Sequence, residues 1–246
     1  MSKAITTEAK LIARKQLTAD VIELHFEPTT AFSFAPGQFI SIIIPGRGPG
    51  GRDLRRAYSI ASSPENPVME LCIKVVEGGP GTQYLNALNV GDTIKGMVPY
   101  GDFVYKTKPH RHAIMISTGT GIAPFRAMVL SEGYKNAKPR STYVLFGARE
   151  QEDLLYVDEM NHEIGSAHYV CALSKVKGEW QGFKGRVTDW LRSNEAKIDF
   201  NETDFYLCGN GAMIDEVKTW LATKGLGKES IFQEAYYKPK PGQTHA

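Results

Sequence analysis

A glycine-rich turn at residues 117–125 constrains this 246-residue chain more than any other feature. It follows an apolar run, residues 112–116, typical of a buried parallel strand, and leads into a helical pattern, residues 122–133. Such a turn brings backbone N–H groups and the positive end of a helix to one point, which suits a nucleotide phosphate. We therefore expect Thr120 and Gly121 to contact the phosphates of a bound nucleotide.

The downstream half of the chain alternates strands with helices. The expected strands span residues 112–117, 142–147, 168–173 and 204–208, and the expected helices span residues 122–131, 155–164, 187–192 and 212–224. This alternation predicts a doubly wound parallel sheet of the α/β class.

The upstream half has short strands separated by Pro-Gly and Gly-Asp turns, a pattern typical of an antiparallel β-barrel. The expected strands span residues 8–17, 20–27, 38–45, 56–61, 68–75 and 93–98, with one helix at residues 82–88. A polar run at residues 105–111 separates the halves. We expect a β-barrel domain at residues 1–107 and a nucleotide-binding α/β domain at residues 108–246.

Composition excludes several classes of protein. The net charge of +2 is too small to argue for nucleic acid as a partner, and no apolar run is long enough to span a bilayer. The first residues lack the apolar core of a signal peptide, so we expect a cytoplasmic protein without membrane insertion. The three cysteines lack the spacings of an iron–sulfur cluster, and the histidines lack metal-ligand spacings. We expect no metal, and any iron–sulfur partner must be a separate protein.

The end of the second strand of the α/β half bears on the choice of coenzyme. Arg149 suits a ribose 2′-phosphate, whereas the following Glu150 suits a free 2′-hydroxyl. Ser174 and Lys175 end the third strand, and Arg186 follows; these side chains could close around a phosphate. The pattern favours NADPH and leaves NADH open.

A polar cluster in the barrel half suits a flavin. In Arg56-Ala57-Tyr58-Ser59, the arginine can clamp a pyrophosphate, the tyrosine ring can stack on a ring system, and the serine hydroxyl can hydrogen-bond a ring nitrogen. The alternative interpretation is an ordinary surface strand whose polar groups are hydrogen-bonded without any ligand.

Two further glycine turns lead into helices. Gly81 and Thr82 open the predicted helix of the barrel half and form a second possible phosphate cradle. Cys208 and Gly209 end the last predicted strand of the α/β half, at the sheet edge where ligands bind in open α/β sheets.

Four motifs, taken in their order along the chain, resemble the ferredoxin/flavodoxin–NADP reductase family over nearly its whole length. The arginine-x-tyrosine-serine motif matches residues 56–59, and the proline-glycine-glutamine-phenylalanine strand entry matches residues 36–39. The glycine-threonine-glycine-isoleucine-alanine-proline loop matches residues 119–124, and the cysteine-glycine-asparagine segment matches residues 208–210. The resemblance implies FAD on the barrel and NADP(H), or NAD(H), on the α/β domain.

The resemblance also implies residue roles. It places Arg56 on the FAD pyrophosphate, Tyr58 against the isoalloxazine, and Ser59 near its N5 atom. Gly81 and Thr82 provide a second FAD phosphate contact.

Three further roles concern the end of the α/β domain. The resemblance makes Cys208 a residue that shapes the nicotinamide site and Glu234 a proton relay. It makes Tyr236 or Tyr237 a ring that covers the flavin. The chain continues for nine residues past Tyr237, whereas members of the family end at or near the aromatic.

The implied activity is electron transfer between NADPH and a one-electron carrier, ferredoxin or flavodoxin, through FAD. An NADH-linked reductase that feeds an oxygenase, or reduces free flavin or iron, is the alternative. A flavin-binding relay subunit that oxidises no nicotinamide is a third hypothesis. The cations Arg52, Arg55, Lys74, Lys238 and Lys240 could steer an acidic carrier or be a solvated face.

Overall fold

The computed structural model describes residues 4–106, 108–165 and 168–237. Six strands form an antiparallel sheet: β1 (Ile5–Gln16), β2 (Val21–Pro28), β3 (Phe39–Ile44), β4 (Leu54–Ser59), β5 (Met69–Lys74) and β6 (Thr93–Tyr100), with helix α1 (Pro80–Asn86) before β6. Their order in the sheet is β4-β3-β6-β1-β2-β5. An isolated bridge between Ile60, just after β4, and Leu71 of β5 brings one end of the two edge strands together, so the sheet curls into a partly closed barrel and β4 stays an edge strand.

The barrel core follows from alternating side chains along each strand. In β3, Ile40, Ile42 and Ile44 are fully buried, while the residues between them are half-buried. Helix α1 begins at Pro80, two residues before the predicted start, because proline fits the first helical position, where no N–H is needed.

Six parallel strands form a second sheet: β7 (His112–Thr118), β8 (Ser141–Ala148), β9 (Tyr169–Leu173), β10 (Phe183–Lys184), β11 (Thr203–Asn210) and β12 (Ile231–Tyr237). The helices of this half are α2 (Ala123–Leu130), α3 (Glu132–Asn136), α4 (Val157–Ile164), α5 (Val187–Ser193) and α6 (Gly211–Thr223). The order is β10-β9-β8-β7-β11-β12, so the direction of winding reverses between β7 and β11. The predicted fold class is therefore confirmed, and β10 and β12 extend the predicted set of strands.

The described residues form two compact units that differ from a simple division of the sequence. The first unit contains the residues up to Lys106 together with Ala123–Lys135, and the second contains the remaining described residues up to Ile122 and from Asn136 onward. Within the first unit, Phe125 packs on Phe103 and Tyr134 packs on Tyr105, with ring centroids 5.9 and 5.6 Å apart. A boundary at residue 107 stays a prediction.

None of the helices among the described residues has both the length and the apolar character needed to cross a bilayer.

Candidate functional site

Strand β4 carries the predicted flavin motif at an edge of the first sheet. It pairs with β3, where Arg56 lies opposite Ile42 and Ser59 opposite Phe39. Arg56 and Ala57 are exposed, Tyr58 is half-buried and Ser59 is buried. An exposed strand edge that ends in a buried hydroxyl offers a ligand both main-chain polar groups and side chains.

The start of α1 meets this strand, and its shape tests whether a dinucleotide fits. A Cβ atom on Gly81 would lie 2.6 Å from the Tyr58 hydroxyl oxygen and 2.9 Å from Cγ of Arg56. Only glycine therefore lets the first turn of α1 approach the motif, where the N–H groups of Gly81 and Thr82 have no acceptor within the helix. A cation, an aromatic ring and N–H donors so grouped fit the pyrophosphate and ring system of FAD.

The surroundings fix the protonation state of Tyr58 and the hydrogen bonds of the Thr82 hydroxyl. Burial raises the pKa of Tyr58 to about 12, and the nearby Arg56 guanidinium lowers it in part, so the phenol stays neutral at physiological pH. The Thr82 hydroxyl accepts from the Val76 N–H at 3.1 Å and lies 3.2 Å from the Gly79 carbonyl oxygen. Because this hydroxyl holds the turn closed, a phosphate contact from Thr82 would use its main-chain N–H.

The predicted phosphate loop lies at the point where the second sheet changes winding direction. Gly119–Ile122 forms one 3-10 turn between β7 and α2, and Gly119 has a φ of +54°. A Cβ atom on Gly121 would lie 2.7 Å from Cα of Gly209 and would also overlap the Cys208 carbonyl. The turn after β7 and the end of β11 therefore touch through their backbones, as a nucleotide site at a switch point requires.

Gly209 and Asn210 complete this contact. Gly209 has a φ of +123°, and a Cβ atom there would lie 2.7 Å from the Thr118 carbonyl oxygen. The Asn210 N–H donates to the Thr118 hydroxyl at 3.1 Å, and the Asn210 side chain caps α6 by accepting from the Ala212 N–H. The sequence-predicted residues thus lie together, Thr120 and Gly121 in the turn after β7 and Gly209 at the end of β11.

The cations predicted to distinguish NADPH from NADH lie at the carboxyl ends of neighbouring strands. Arg149 and Lys175 are joined through the main chain, since the Lys175 N–H donates to the Arg149 carbonyl at 2.8 Å. Gly185, directly before Arg186, donates to the Leu173 carbonyl at 2.8 Å. The side chains of the predicted set (Arg149, Ser174, Lys175 and Arg186) are all exposed.

Glu150, the residue that complicates the coenzyme prediction, has a partner. Its carboxylate lies 2.6 Å from Nζ of Lys177, and this contact raises the pKa of the Lys177 ammonium. The Glu150 N–H donates to the Asp153 carboxylate at 3.1 Å. Lys177 is 74% exposed, so water screens this pair and it restrains Glu150 only weakly.

Cys208 lies in register between Ser117 on one neighbouring strand and Glu234 on the other. Its side chain is fully buried. Burial is the main cause that raises the pKa of this thiol, the Glu234 carboxylate raises it further, and a hydrogen bond with Tyr236 lowers it in part. The structure therefore groups Cys208, Glu234 and Tyr236, and the thiol is neutral rather than a nucleophilic thiolate.

The cations considered for partner docking differ in their surroundings. Lys74 forms an ion pair with Asp20 at 2.7 Å, and Arg52 donates to the Pro49 carbonyl at 3.4 Å. Arg55 is exposed on β4. Lys238 and Lys240 lie outside the described residues, and for Tyr237 the description covers the backbone in β12.

Comparison with known protein families adds to this geometry. Residues 8–105 match an oxidoreductase FAD-binding domain, and residues 115–219 match an oxidoreductase NAD-binding domain. Ferredoxin–NADP reductase B of Sorangium cellulosum is 36% identical, with 96% of this chain aligned to 100% of that protein. The chain belongs to the ferredoxin–NADP reductase family. It is an electron-transfer oxidoreductase with an FAD-binding and an NAD(P)-binding domain, which confirms the family resemblance of its motifs.

A second curated relative and two solved structures extend the comparison. The reductase component DmpP of phenol 2-monooxygenase from a Pseudomonas species is 32% identical over 92% of this chain, and the match spans 64% of that protein's length. A ferredoxin–NADP⁺ reductase from Neisseria gonorrhoeae, solved with bound FAD and NADP, superposes with a TM-score of 0.82 at 21% identity and covers 94% of this chain and 99% of that one. An Amycolatopsis cytochrome P450 reductase, with the same TM-score at 23% identity, covers 95% and 70%. These structures share the fold.

The motifs did not single out Arg126, a charged residue that the structure buries. It stands in the apolar helix α2, where its neighbours on both sides are buried. A charged residue within such a helix must find partners elsewhere in the fold, and this is the signal by which the sequence could have pointed to it.

Proposed function

We propose that this protein is an NADPH-dependent reductase that passes electrons through FAD to a separate one-electron carrier, ferredoxin or flavodoxin. The observation that carries the proposal is the place of the exposed residues Arg149, Ser174, Lys175 and Arg186, which follow the carboxyl ends of three neighbouring strands and give a cationic setting suited to a 2′-phosphate. The full-length likeness to a ferredoxin–NADP reductase supports the same activity. Bound FAD would supply the redox chemistry, because a flavin accepts a hydride from a nicotinamide and releases electrons singly.

The chain's own residues would bind FAD and orient its ring system. Arg56 and the N–H groups of Gly81 and Thr82 would hold the FAD pyrophosphate, and Tyr58 would pack against the flavin ring. Ser59, buried at the end of β4, would offer its hydroxyl to the ring. Glu234 would take part in proton movement and Tyr236 would cover the flavin ring; within the second unit both lie beside Cys208.

The second candidate is an NADH-linked reductase component of an oxygenase, and Glu150 favours it. A carboxylate after the second strand of such a sheet suits a free ribose hydroxyl. The likeness to a phenol monooxygenase reductase component supports this alternative, although this chain matches about two thirds of that protein.

Coenzyme-dependent bleaching of the flavin tests the proposal. The purified protein is mixed anaerobically with NADPH, and separately with NADH, while flavin absorbance is followed. We expect rapid bleaching with NADPH and slow bleaching with NADH. Faster bleaching with NADH would support the oxygenase component, and a yellow protein that neither coenzyme bleaches would contradict both candidates.

A double variant tests the 2′-phosphate site. Arg149→Glu with Lys175→Ala should raise KM for NADPH by roughly tenfold or more and change KM for NADH much less, because charge-assisted phosphate contacts are lost. The control, Lys218→Glu with Lys197→Ala, makes the same change in charge. Lys218 lies within α6 and Lys197 follows α5, so neither lies at the carboxyl end of a strand. Equal effects on both coenzymes would remove the assignment.

A further inference from the structure

Arg126 is buried and makes two specific contacts within the first unit. The arginine is 8% exposed. Its Nη1 atom donates to the Ala61 carbonyl at 3.0 Å and to Oε2 of Glu70 at 2.5 Å. A buried guanidinium that bonds both a carboxylate and a main-chain carbonyl is costly to break, because each partner loses its compensation.

Both contacts converge on the chain just beyond the flavin motif. Ala61 follows Ser59 by two residues, and its N–H donates to the Glu70 carbonyl at 2.8 Å. The Glu70 N–H donates to the Ser62 hydroxyl at 3.2 Å. Arg126 thus closes a set of bonds in which one side chain from α2 holds the segment after Ser59 against β5.

Glu70 also belongs to a polar cluster on the barrel. His25 Nε2 lies 2.7 Å from the Glu23 carboxylate, and His25 Nδ1 lies 3.8 Å from Glu70. Ligand atoms of these three residues lie within 4.8 Å of one another, as in a metal site. Arg126 already neutralises Glu70, however, and Lys15 lies 3.3 Å from Glu23, so the geometry favours an ion-pair network over a cation site.

We propose that Arg126 is a positioning residue for the flavin, acting through Ala61 and Glu70 on the end of β4. This inference rests on the proposed function in that it takes FAD to lie along β4. Without the guanidinium, Oε2 of Glu70 and the Ala61 carbonyl would both lose the donor that Arg126 supplies, so the segment after Ser59 would shift and Ser59 with it. The expected consequence is a change in the affinity for FAD and in the surroundings of the flavin ring.

The experiment compares wild-type protein with Arg126→Gln, Arg126→Lys and Glu70→Gln. The readouts are the dissociation constant of FAD, the position and shape of the visible flavin bands, and the flavin reduction rate at saturating FAD and coenzyme, with the coenzyme KM. In Arg126→Gln we expect FAD binding to weaken roughly tenfold, the flavin bands to shift, and reduction to slow several-fold with KM nearly unchanged. Arg126→Lys should restore part of each effect, because an ammonium can still donate to Glu70.

A matched control separates positioning from general stability. Arg111 of the second unit is also largely buried, and it donates to the Asp204 carboxylate at 2.8 Å and to the Thr203 carbonyl at 3.0 Å. Arg111→Gln should lower the unfolding temperature as Arg126→Gln does but leave the flavin bands and FAD affinity unchanged.

The outcomes are distinct. Wild-type bands and FAD affinity in Arg126→Gln, or an equal shift in Arg111→Gln, would overturn the inference. If Arg126→Gln does not fold, Glu70→Gln decides instead: its neutral amide weakens the bond between Arg126 and β5, so FAD binding should weaken and the flavin bands should shift, and wild-type values of both would overturn the inference. A wild-type protein that binds no flavin would instead overturn the proposed function, and this inference with it.

Discussion

At the scale of single residues, Ser59 offers the most direct test of the flavin site. Ser59→Ala should slow flavin reduction by about tenfold without releasing FAD, because one hydrogen bond of about 1.5 kcal/mol is lost while Arg56 and Gly81 remain. Stopped-flow reduction and an FAD-release assay measure the two effects. Ser59→Thr keeps the hydroxyl and should recover part of the rate. Unchanged reduction kinetics in Ser59→Ala would contradict the proposed role.

The residues that sequence could identify are those whose signal is local. Arg56, Tyr58 and Ser59 stand together in one motif, and Gly121 stands in a recognisable turn. The grouping of Glu234 with Cys208 depends on β12 adding to the sheet beside β11, and the Arg126–Glu70 contact joins residues 56 positions apart. Such pairings are set by topology, so local patterns could suggest a charged residue in α2 but not its partners.

At the scale of elements, the turn between β7 and α2 requires glycine for close packing. Gly121→Ala should destabilise the protein by roughly 1–3 kcal/mol and weaken coenzyme binding, since its Cβ would overlap backbone atoms at the end of β11. Gly133→Ala is the control: it lies in α3, where an added Cβ would have its nearest neighbour 3.9 Å away. That substitution should be neutral or stabilise by about 0.5–1 kcal/mol. Urea unfolding and coenzyme titration measure both variants, and equal behaviour of the two would contradict the packing argument.

Elements with strong periodicity were predictable, and short or late ones were not. The strand before the phosphate loop and the helix after β11 lie close to their predicted bounds. Strand β10 has two residues, too few to show an alternating pattern, and β12 follows a polar turn near the end of the chain. The packing of residues 123–135 in the same unit as the barrel is a long-range property that the alternation of strands and helices does not reveal.

At the scale of the whole molecule, weakly acidic side chains in both units, wholly or partly buried, lower the free energy of unfolding as the pH becomes alkaline. Burial raises the pKa of Cys171 to about 11 and that of Tyr58 to about 12, and it raises the pKa of Cys208 as well. Above about pH 9 the unfolded chain loses thiol protons that the folded protein keeps. The folded state then binds more protons, so the free energy of unfolding falls as pH rises.

Cys171→Ala isolates one of these contributions. The stabilising effect of the neutral thiol is fully present below pH 9 and is lost between about pH 9 and 11, the interval between its ordinary and raised pKa. Because the side chain is partly exposed, we expect the wild type to lose of the order of 2 kcal/mol more than the variant across this interval. Urea unfolding of both proteins at pH 8, 9, 10 and 11 gives the difference, in which groups away from Cys171 cancel. Tyr169 contributes together with Cys171, because burial and then the neighbouring thiol raise the pKa of that tyrosine. Parallel pH profiles would show that the Cys171 thiol ionises equally readily in the folded and unfolded states, against the burial that the structure gives it.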